Sequence, residues 1–368
     1  MLTIGILFGG KSVEHDVSII SAYQVMKAIK IDKYRYIPLY LTKDGTLLTG
    51  ERFKDIETYK QKIKPKKGEY GNLVRFNNCN YLSYTFKKFK KWLKIDLILP
   101  IVHGKGVEDG NISGFLEILQ MPYITSDVLG ASICQDKEFT KIILNNINIK
   151  TIPYQVLLDH NIDNLTLKYP LIIKPAKLGS SIGINRVDNN DELKEAINEA
   201  FKYDNKVIVE KALTNFKEYS VAIYAFKNEL ILSDIEELEL TSDIYKFTDK
   251  YQNNSKEVTG HKIPAKISTK QQEEIYEITR KIYQKLQLSG VIRVDFLYDM
   301  DSKKLYVNEI NTIPGSLAFY LFEKKGKSFD ELLDDLIKQT LINKEKSNEY
   351  ISAFDSNILE KNTLKMKK

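Results

Sequence analysis

The sequence predicts an α/β domain built on a parallel sheet, followed by an α+β region of strands, hairpins and amphipathic helices. The first part of this prediction rests on TIGILFGG (3–10), a buried strand that breaks at two glycines and leads into a helix starting near Val17. The second part rests on VDFLYDMDSKKLYVNEIN (294–311), two apolar runs joined by a polar turn, which indicates a β-hairpin. At 368 residues the chain is too long for one ordinary core, so we expect two or three domains.

The change of pattern along the chain predicts four segments. They are an amino-terminal α/β domain with an insertion around 50–93, a central subdomain, a carboxy-terminal subdomain, and a tail rich in Lys, Asn and Glu that is expected to be partly disordered. Their predicted bounds are 1–133, 134–213, 214–345 and 346–368.

The predicted elements follow the chain in order. In the first domain, strands at 34–42 and 94–104 join strand 3–10, and a helix at 111–120 precedes a short strand in PYITS (122–126). In the second, a helix at 134–147 leads to a strand–turn–strand unit at 169–187, an amphipathic helix at 191–203 and a strand at 206–213. In the third, a meander at 218–238 and an amphipathic helix at 271–287 precede a hairpin of strands 291–298 and 305–311.

Composition excludes several classes of protein. The chain is 43% hydrophobic and 28% charged, as in ordinary globular proteins. Its net charge of +6 comes mostly from Lys, without the interleaved aromatic residues of a nucleic-acid surface, so a solvated lysine-rich face is expected and no nucleic-acid partner. Its two cysteines, Cys79 and Cys134, form no CxxC pattern, which argues against a zinc site or a disulfide framework. Because no apolar run reaches 18 residues and the first residues lack a signal-peptide pattern, we expect a cytoplasmic protein without membrane contact.

The hairpin at 294–311 carries a candidate metal site. Glu309 and Asn311 point to one face of their strand because side chains alternate, and Asp295 can reach the same place from the paired strand. Two carboxylates and an amide oxygen suit Mg²⁺, which takes oxygen ligands and completes its octahedron with water and substrate phosphates. The alternative is an exposed edge hairpin whose acids are simply solvated.

The stretch KPAKLGSSIGI (174–184) is a candidate phosphate-binding flap. Its glycines relieve crowding, and Ser180 and Ser181 place hydroxyls beside their backbone N–H groups. Lys174 leaves the preceding strand where its ammonium could reach a phosphate. The alternative is an ordinary Gly-Ser turn, which is commoner for such a pattern taken alone.

Three further positions have a nucleotide-related interpretation. At the end of strand 206–213, Glu210 and the backbone of Lys211 and Leu213 could read a base, although solvated charges at a strand end explain the same pattern. Arg293 shares a strand face with Asp295 and can direct a fixed positive charge to metal-bound phosphates. After that strand pair, the Gly315 N–H could face an anion that forms beside the metal.

Glu14 and His103 lie just beyond the ends of predicted parallel strands, where open α/β sheets bind ligands. Glu14 would suit a substrate ammonium, or it could serve only as a negative charge in the first turn of a helix. A lone His at such a position is more often structural.

The order of these motifs resembles that of the ATP-grasp superfamily, and the chain resembles D-alanine–D-alanine ligases over nearly its whole length. GGKSVEHDVSIISA is similar to the amino-terminal signature of that family, and DKEFTK, KPAKLGSSIG, the Arg-x-Asp strand and NEINTIPG are similar to its ATP, serine-loop and metal signatures. The resemblance implies an ATP-grasp fold, in which a Rossmann-like amino-terminal domain accompanies two subdomains that clasp ATP.

The resemblance also implies residue roles. Lys137 and Lys174 would contact the ATP phosphates, Glu210, Lys211 and Leu213 the adenine, and Glu218 the ribose, while Ser181 would lie in the closing flap and Lys250 would also bind ATP. Asp295, Glu309 and Asn311 would bind Mg²⁺ or Mn²⁺, with two ions expected. Glu14 and His103 would hold the first D-alanine. Arg293 and the Gly315 N–H would stabilise the acyl phosphate and the tetrahedral intermediate. Tyr251, hydrogen-bonded with Glu14 and Ser180, would favour D-alanine as the second substrate.

The chain departs from the family pattern at three places. Val107 stands where Gly usually precedes Glu-Asp-Gly, and Phe247 stands where Tyr is common in a mobile loop. The Ser-Leu pair that binds the carboxylate of the second substrate in many members is Tyr320-Leu321 here. Ser316 or the Tyr320 hydroxyl could replace the missing Ser.

Taken together, the residues and the resemblance predict ATP-dependent ligation of two D-alanines through an acyl phosphate, for peptidoglycan precursors, by an enzyme that is expected to be a homodimer. One alternative keeps this chemistry with D-serine, D-lactate or another acceptor. A second alternative, a nucleotide-binding regulatory protein without catalysis, is disfavoured because the candidate metal ligands and Arg293 are all present.

Overall fold

The computed structural model describes residues 1–86, 89–238 and 260–347, together with the single positions 349, 351 and 354. The strands, in chain order, are β1 Leu2–Gly9, β2 Tyr34–Leu41, β3 Leu47–Thr49, β4 Gly71–Phe76, β5 Cys79–Phe86, β6 Phe89–Lys94, β7 Leu97–Ile101, β8 Tyr154–Leu157, β9 Leu171–Pro175, β10 Asn185–Val187, β11 Val207–Lys211, β12 Phe216–Phe226, β13 Glu229–Leu238, β14 His261–Lys262, β15 Ile292–Asp299 and β16 Lys304–Asn311. The helices are α1 His15–Ala28, α2 Asn111–Ile118, α3 Val128–Gln135, α4 Lys137–Asn146, α5 Asn190–Phe201, α6 Thr269–Lys285, α7 Tyr320–Glu323 and α8 Phe329–Ser347.

The first sheet has the strand order β3-β2-β1-β7, with β1 parallel to both of its neighbours. Alternate residues of β1 enter different cores: Ile4 and Phe8 pack on one face and Leu7 on the other. This confirms the predicted parallel α/β sheet. The predicted strand at 94–104 is shorter in the structure, because Lys94 ends β6 and only Leu97–Ile101 pairs with β1.

The insertion around 50–93 forms two 3₁₀ turns, Glu51–Lys54 and Ile56–Lys60, and an antiparallel sheet of order β4-β5-β6. Its apolar face packs through Leu73 and Leu82 onto the outer face of the first sheet. The insertion therefore covers one side of the amino-terminal domain.

The predicted helix at 134–147 is wrong as a single element. The structure has two helices, α3 and α4, which are separated at Asp136 in an extended conformation. The Asp136 carboxylate accepts hydrogen bonds from the backbone N–H groups of Glu138 and Phe139, as a short acidic side chain does when it caps a helix. The break makes Lys137 the first residue of α4.

Two antiparallel sheets follow, with strand orders β10-β9-β11-β8 and β14-β13-β12-β15-β16. The first contains the predicted strand–turn–strand unit, and the second contains the predicted meander and hairpin. In the hairpin, Asp295 pairs with Glu309 and Phe296 pairs with Val307, so Asn308 is the extra residue of a β-bulge.

The last described helix, α8, packs against the amino-terminal domain. Its residues Leu332, Leu333 and Leu336 belong to the same core cluster as Ile4 and Phe8 of β1. The tail predicted at 346–368 lies almost wholly outside the described residues. In the described part of the chain, no helix combines the length and the apolar character needed to cross a bilayer.

Candidate active site

Two adjoining cavities lie where the first sheet meets the two antiparallel sheets. We call them the first and the second cavity. The first is lined by Glu14, His103, Ser180, Arg293, Asn311 and Gly315 among the predicted residues, and the second by Lys174, Ser181, Glu210, Lys211, Leu213 and Glu218. Lys137, Gly179 and Glu309 line both cavities, so they mark the place where the two meet.

Glu14 lies at the amino-terminal end of α1, but its side chain does not cap the helix. Instead its carboxylate accepts a hydrogen bond from the Ser180 hydroxyl, across 166 positions of sequence. Two glycines make room for this carboxylate, because a Cβ at Gly104 would lie 2.5 Å from Glu14 Oε2 and one at Gly179 would lie 3.2 Å from it. The contact joins the amino-terminal domain to the flap.

His103 is buried and forms hydrogen bonds through both ring nitrogens. Nδ1 lies 2.9 Å from the Ile313 carbonyl oxygen and Nε2 lies 3.1 Å from Ser21 Oγ. A carbonyl can only accept, so Nδ1 carries the proton and Nε2 accepts from Ser21. Burial lowers the pKa of His103 to about 4, so the ring is neutral at physiological pH.

Glu108 contacts the backbone N–H of Ile313, the residue whose carbonyl oxygen bonds to His103. Its Oε1 accepts from the Ile313 N–H at 2.9 Å and its Oε2 accepts from the Gly104 N–H at 2.9 Å. Burial and the nearby Glu14 carboxylate raise the pKa of Glu108 to about 7. Together, His103 and Glu108 fix the turn that follows the candidate metal ligands.

That turn brings Gly315 to the first cavity. An added Cβ at Gly315 would meet no atom within 4 Å, so its backbone faces open space. The next three residues, Ser316, Leu317 and Ala318, all have φ between 50° and 54°, a left-handed conformation that is strained for residues with a Cβ. The Ser316 N–H donates to Ser21 Oγ at 3.0 Å, which ties this strained turn to α1.

Asp295, a member of the candidate metal set, is buried, lines neither cavity and is held by several side-chain hydrogen bonds. It receives the Arg293 guanidinium in a bidentate contact, with Nε 2.7 Å from Oδ1 and a terminal nitrogen 2.8 Å from Oδ2. Ser220 Oγ donates to Oδ1 at 2.7 Å, and the Asn311 amide nitrogen donates to Oδ2 at 3.0 Å. Arg293 thus neutralises one of the two carboxylates that the hairpin brings together.

Glu309 lies opposite Asp295 in the hairpin and reaches both cavities. Its Oε2 is 3.8 Å from the Lys137 ammonium, which also donates to the Leu178 carbonyl at 2.7 Å. Carboxylate and amide oxygens form the whole donor set of Asp295, Glu309 and Asn311, so the chemistry of these residues fits Mg²⁺ or Mn²⁺.

Glu210 lies between two lysines in the second cavity. Its Oε2 is 2.7 Å from Lys174 Nζ and its Oε1 is 2.7 Å from Lys141 Nζ. Burial opposes the ionisation of Glu210, but the two ammonium groups outweigh it and lower its pKa to about 2. Lys174 therefore pairs with a carboxylate here, whereas the sequence predicted it only as a phosphate ligand.

Ser180 and Ser181 both have left-handed backbone conformations, with φ of 55° and 56°. Ser180 faces the first cavity and Ser181 faces the second, so the flap contributes one hydroxyl to each. Residues other than Gly, Asn and Asp rarely adopt this conformation, and the hydrogen bond from Ser180 to Glu14 helps to hold the flap in it.

Among the predicted residues that the structure describes, Ser316, Tyr320 and Leu321 do not line these cavities. Leu321 is fully buried in the core. The Ser316 hydroxyl donates to Gln24, and the Tyr320 hydroxyl lies 3.3 Å from Glu236 Oε2 and donates to it. Tyr251, Lys250 and Phe247 lie outside the described residues.

Val107, the departure in the glycine loop, is buried and has a packing role. A Cβ at Gly10, which has φ of 93°, would lie 2.5 Å from Val107 Cγ1. The valine therefore packs directly against a backbone that only glycine can provide there.

Among the residues missed from the sequence are Glu108, which lines the first cavity, and Lys141, which pairs with Glu210. Glu108 follows a strand end by a few residues, where His103 had already drawn attention to ligand binding. Lys141 follows Lys137 by four residues on a predicted helix, and this spacing places two side chains on one face. Both signals were present in the sequence.

The architecture and the site define a class of protein. A parallel α/β sheet is followed by two antiparallel sheets that enclose a lysine-rich cavity beside a Gly-Ser flap, and Glu309 lies where this cavity meets the first one. This is the ATP-grasp arrangement, which confirms the fold class that the sequence predicted.

Comparison with known proteins identifies the family within that class. Residues 3–126 match the family model described as D-ala D-ala ligase N-terminus, and residues 143–338 match the model described as D-ala D-ala ligase C-terminus. The chain belongs to the D-alanine–D-alanine ligase family. It is 37% identical to the D-alanine–D-alanine ligase of Thermosipho melanesiensis over 98% of this chain and 99% of that protein.

Solved structures agree with this assignment. The D-alanine–D-alanine ligase of Helicobacter pylori is similar with a TM-score of 0.74 and 28% identity, over 92% of this chain and 98% of that one. The D-Ala:D-Ser ligase VanG of Enterococcus faecalis is similar with a TM-score of 0.76 and 31% identity, over 92% of this chain and 99% of that one.

Proposed function

We propose that this enzyme joins two D-alanine molecules into D-alanyl-D-alanine at the expense of ATP, for peptidoglycan precursors. The single observation that carries the proposal is the meeting of the two cavities at Lys137, Gly179 and Glu309. A nucleotide in the second cavity would present its terminal phosphate at this junction, and a carboxylate substrate in the first cavity would reach it from the other side.

In the first step, a carboxylate oxygen of the first D-alanine bonds to the γ-phosphorus while the bond to the ADP oxygen breaks. Lys137 and Lys174 bind the phosphates, and Glu14 binds the ammonium of this D-alanine. His103 acts through its hydrogen bonds to the 313 turn, because both of its nitrogens are already used in the structure. These groups act by positioning and by charge stabilisation.

Asp295, Glu309 and Asn311 would hold Mg²⁺ or Mn²⁺, and we propose two ions. When bound, they would neutralise the phosphate oxygens and lower the cost of bringing a carboxylate to the γ-phosphate. Arg293 would contribute a fixed positive charge from the same strand face.

In the second step, the neutral amine of the second D-alanine bonds to the acyl carbon and phosphate leaves with the electron pair of the C–O bond. The proton of the attacking amine leaves with the phosphate, so the products are the dipeptide, ADP and phosphate. The Gly315 N–H would donate to the oxyanion of the tetrahedral intermediate from the open side of its turn.

The test is phosphate release from ATP, measured with a panel of D-amino acids and D-hydroxy acids and with identification of the products. We expect release that depends on D-alanine and yields the dipeptide. The proposal fails if ATP turnover is independent of every D-amino acid and D-hydroxy acid in the panel.

The acceptor is a separate part of the proposal, since VanG, which is named a D-Ala:D-Ser ligase, is among the similar structures. We propose that Tyr251 favours an amino acceptor through a hydrogen-bonded network with Glu14 and Ser180. Tyr251→Phe should lower dipeptide synthesis and raise the share of ester made with D-lactate, more so at low pH, where the free amine is scarce. An unchanged ratio of dipeptide to ester across pH would contradict this role.

We further propose that the chain divides into domains near 134 and 214; the tail predicted at 346–368 stays a prediction, and α8 extends two residues into it, to Ser347. The homodimer and the cytoplasmic location stay predictions.

A further inference from the structure

Lys141 is a buried cation that lies behind the second cavity and outside its lining. Its side chain extends from α4, one turn after Lys137, and only 1% of the residue is exposed. Its Nζ is 2.7 Å from Glu210 Oε1 and 5.4 Å from the centre of the Tyr154 ring. Of these two partners, Glu210 lines the second cavity and Tyr154 does not, so Glu210 is the partner through which Lys141 can affect a ligand there.

The charges around Glu210 are unbalanced. Lys141 and Lys174 both pair with this one carboxylate, and all three side chains are buried. A buried charge is costly unless it is paired, so the second ammonium on one carboxylate leaves an excess positive charge that a further anion would balance. Lys174 also contacts a neutral acceptor, with its Nζ 3.4 Å from Asn308 Oδ1. Lys174 and Glu210 line the second cavity, whereas Lys141 does not, so Lys174 is the ammonium that a nucleotide phosphate can reach.

We propose that Lys141 is the positioning residue that holds Glu210 when Lys174 transfers its ammonium from Glu210 to a nucleotide phosphate. The inference rests on the proposed function, because it takes the second cavity as the ATP site. Without Lys141, this transfer would leave Glu210 as an unpaired buried carboxylate. With Lys141 in place, Glu210 stays ionised and fixed at the wall of the cavity.

This arrangement makes Lys141 a determinant of nucleotide specificity. An ionised carboxylate only accepts hydrogen bonds, so it can bind the exocyclic 6-amino group of adenine. Guanine presents a carbonyl oxygen at that position, which would face Glu210 acceptor to acceptor. A buried polar group left without its partner discriminates strongly between two such ligands.

The experiment compares Lys141→Met, which keeps the length and loses the charge, with Lys141→Arg, which keeps the charge. Binding of ADP and GDP is measured by calorimetry without amino acids, and kcat and KM are measured with ATP and D-alanine. We expect Lys141→Met to weaken ADP binding and raise the KM for ATP by about 10- to 100-fold. GDP binding should change little, kcat should stay within about threefold, and Lys141→Arg should restore most of the preference for adenine.

Lys206→Met is the matched control. Lys206 is also a buried lysine between two acids, 2.7 Å from Asp136 and 2.5 Å from Glu138, but it does not line the second cavity. We expect it to lower the thermal midpoint without changing the ratio of ADP to GDP affinity. If Lys141→Met lowers the thermal midpoint in the same way and leaves that ratio unchanged, Lys141 is only structural and the inference is overturned.

A second measurement uses the wild-type enzyme and does not depend on the folding of a variant. A crystal structure with ADP or a non-hydrolysable ATP analogue should place Lys174 Nζ on a phosphate and leave Lys141 Nζ on Glu210. If Lys174 stays on Glu210, or if Lys141 leaves it, the inference is wrong. Because ADP binding and this structure require no D-alanine, their outcome is separate from the test of ligase activity.

Discussion

At the residue scale, Glu309 is where the metal proposal can be tested most directly. Glu309→Ala removes one of the two carboxylates that would hold Mg²⁺ or Mn²⁺, so the ion would bind more weakly and stabilise the phosphate charge less. We expect ATP turnover to fall by on the order of 100-fold with the thermal midpoint nearly unchanged. Glu229→Ala, at an exposed position of β13 in the same sheet, is the control. Near-normal turnover in Glu309→Ala would exclude this metal site.

His103 donates a hydrogen bond to the Ile313 carbonyl oxygen, and Glu108 accepts one from the Ile313 N–H. The pKa values of the two side chains are shifted in opposite directions. The pKa of His103 falls from 6.5 to about 4, so its contribution to stability is present above pH 6.5 and is lost as the pH falls toward 4. The pKa of Glu108 rises from 4.5 to about 7, so its contribution is largest below pH 4.5 and is lost as the pH rises toward 7. The two effects oppose each other in one pH window.

These opposite pKa shifts predict that substitutions of His103 and Glu108 change stability with opposite pH dependences. His103→Asn should lower stability more at pH 7 than at pH 5, and the pH-dependent part should reach at most roughly 3 kcal/mol. Glu108→Gln should lower stability less at pH 7 than at pH 5. Thermal midpoints at the two pH values measure both. The same pH trend in the two variants would contradict the assignment of these shifts.

At the element scale, the flap at 176–183 depends on one contact with the amino-terminal domain. Ser180→Ala removes the hydrogen bond to Glu14, so flap amides should exchange hydrogen about 5- to 10-fold faster without nucleotide. Ser181→Ala, which changes the neighbouring hydroxyl on the side of the second cavity, should have no such effect in the free enzyme. Equal exchange rates in both variants would show that the Glu14 contact does not hold the flap.

The flap should also respond to ligands. We expect residues 176–183 and the loop at 243–256 to become protected together when ATP and D-alanine bind, since both must open for exchange. The whole of this loop lies outside the described residues, so hydrogen exchange would supply its behaviour. Equally slow exchange with and without ligands would contradict a moving flap.

At the scale of the whole molecule, α8 packs against the amino-terminal domain and contacts the start of β2. The Asp334 carboxylate accepts from the Tyr34 hydroxyl at 2.6 Å and pairs with Lys33 at 3.6 Å and Lys338 at 2.7 Å. Burial opposes the ionisation of Asp334, but the hydrogen bonds from Lys338 and Tyr34 and the nearby positive charges lower its pKa to about 2. Its stabilising effect is therefore present above pH 3.8 and is lost as the pH falls toward 2.

Asp334→Asn should lower the thermal midpoint by about 2–6 °C at pH 7. The difference from wild type should shrink toward pH 3, where the carboxylate begins to take up its proton. Glu345→Gln, at an exposed position of the same helix, should change the midpoint by less than about 1 °C. A difference that stays constant between pH 7 and pH 3 would show that the charge of Asp334 is not what stabilises this contact.

The sequence alone determined the fold class, the order of the elements and most of the charged residues that line the two cavities. Part of this came from local signals: strand alternation in β1, the glycines after it, and the period of two that puts Glu309 and Asn311 on one face. Other residues, such as Lys137 and Glu218, came from the resemblance to the ligase family. These features depend on neighbours along the chain.

Only the tertiary structure decided how the site residues pair. The helix break at Asp136 depends on competition between helix continuation and capping by its carboxylate. The bulge brings Asn308 and Glu309 to the same cavity, and Lys174 pairs with Glu210; both features depend on contacts between different strands. The position of Glu108 after a strand end was visible in the sequence, but its hydrogen bond to the Ile313 N–H, 205 positions away in the chain, was not. Periodicity tells which face a side chain occupies, but which charges share that space is decided by packing between segments far apart in sequence.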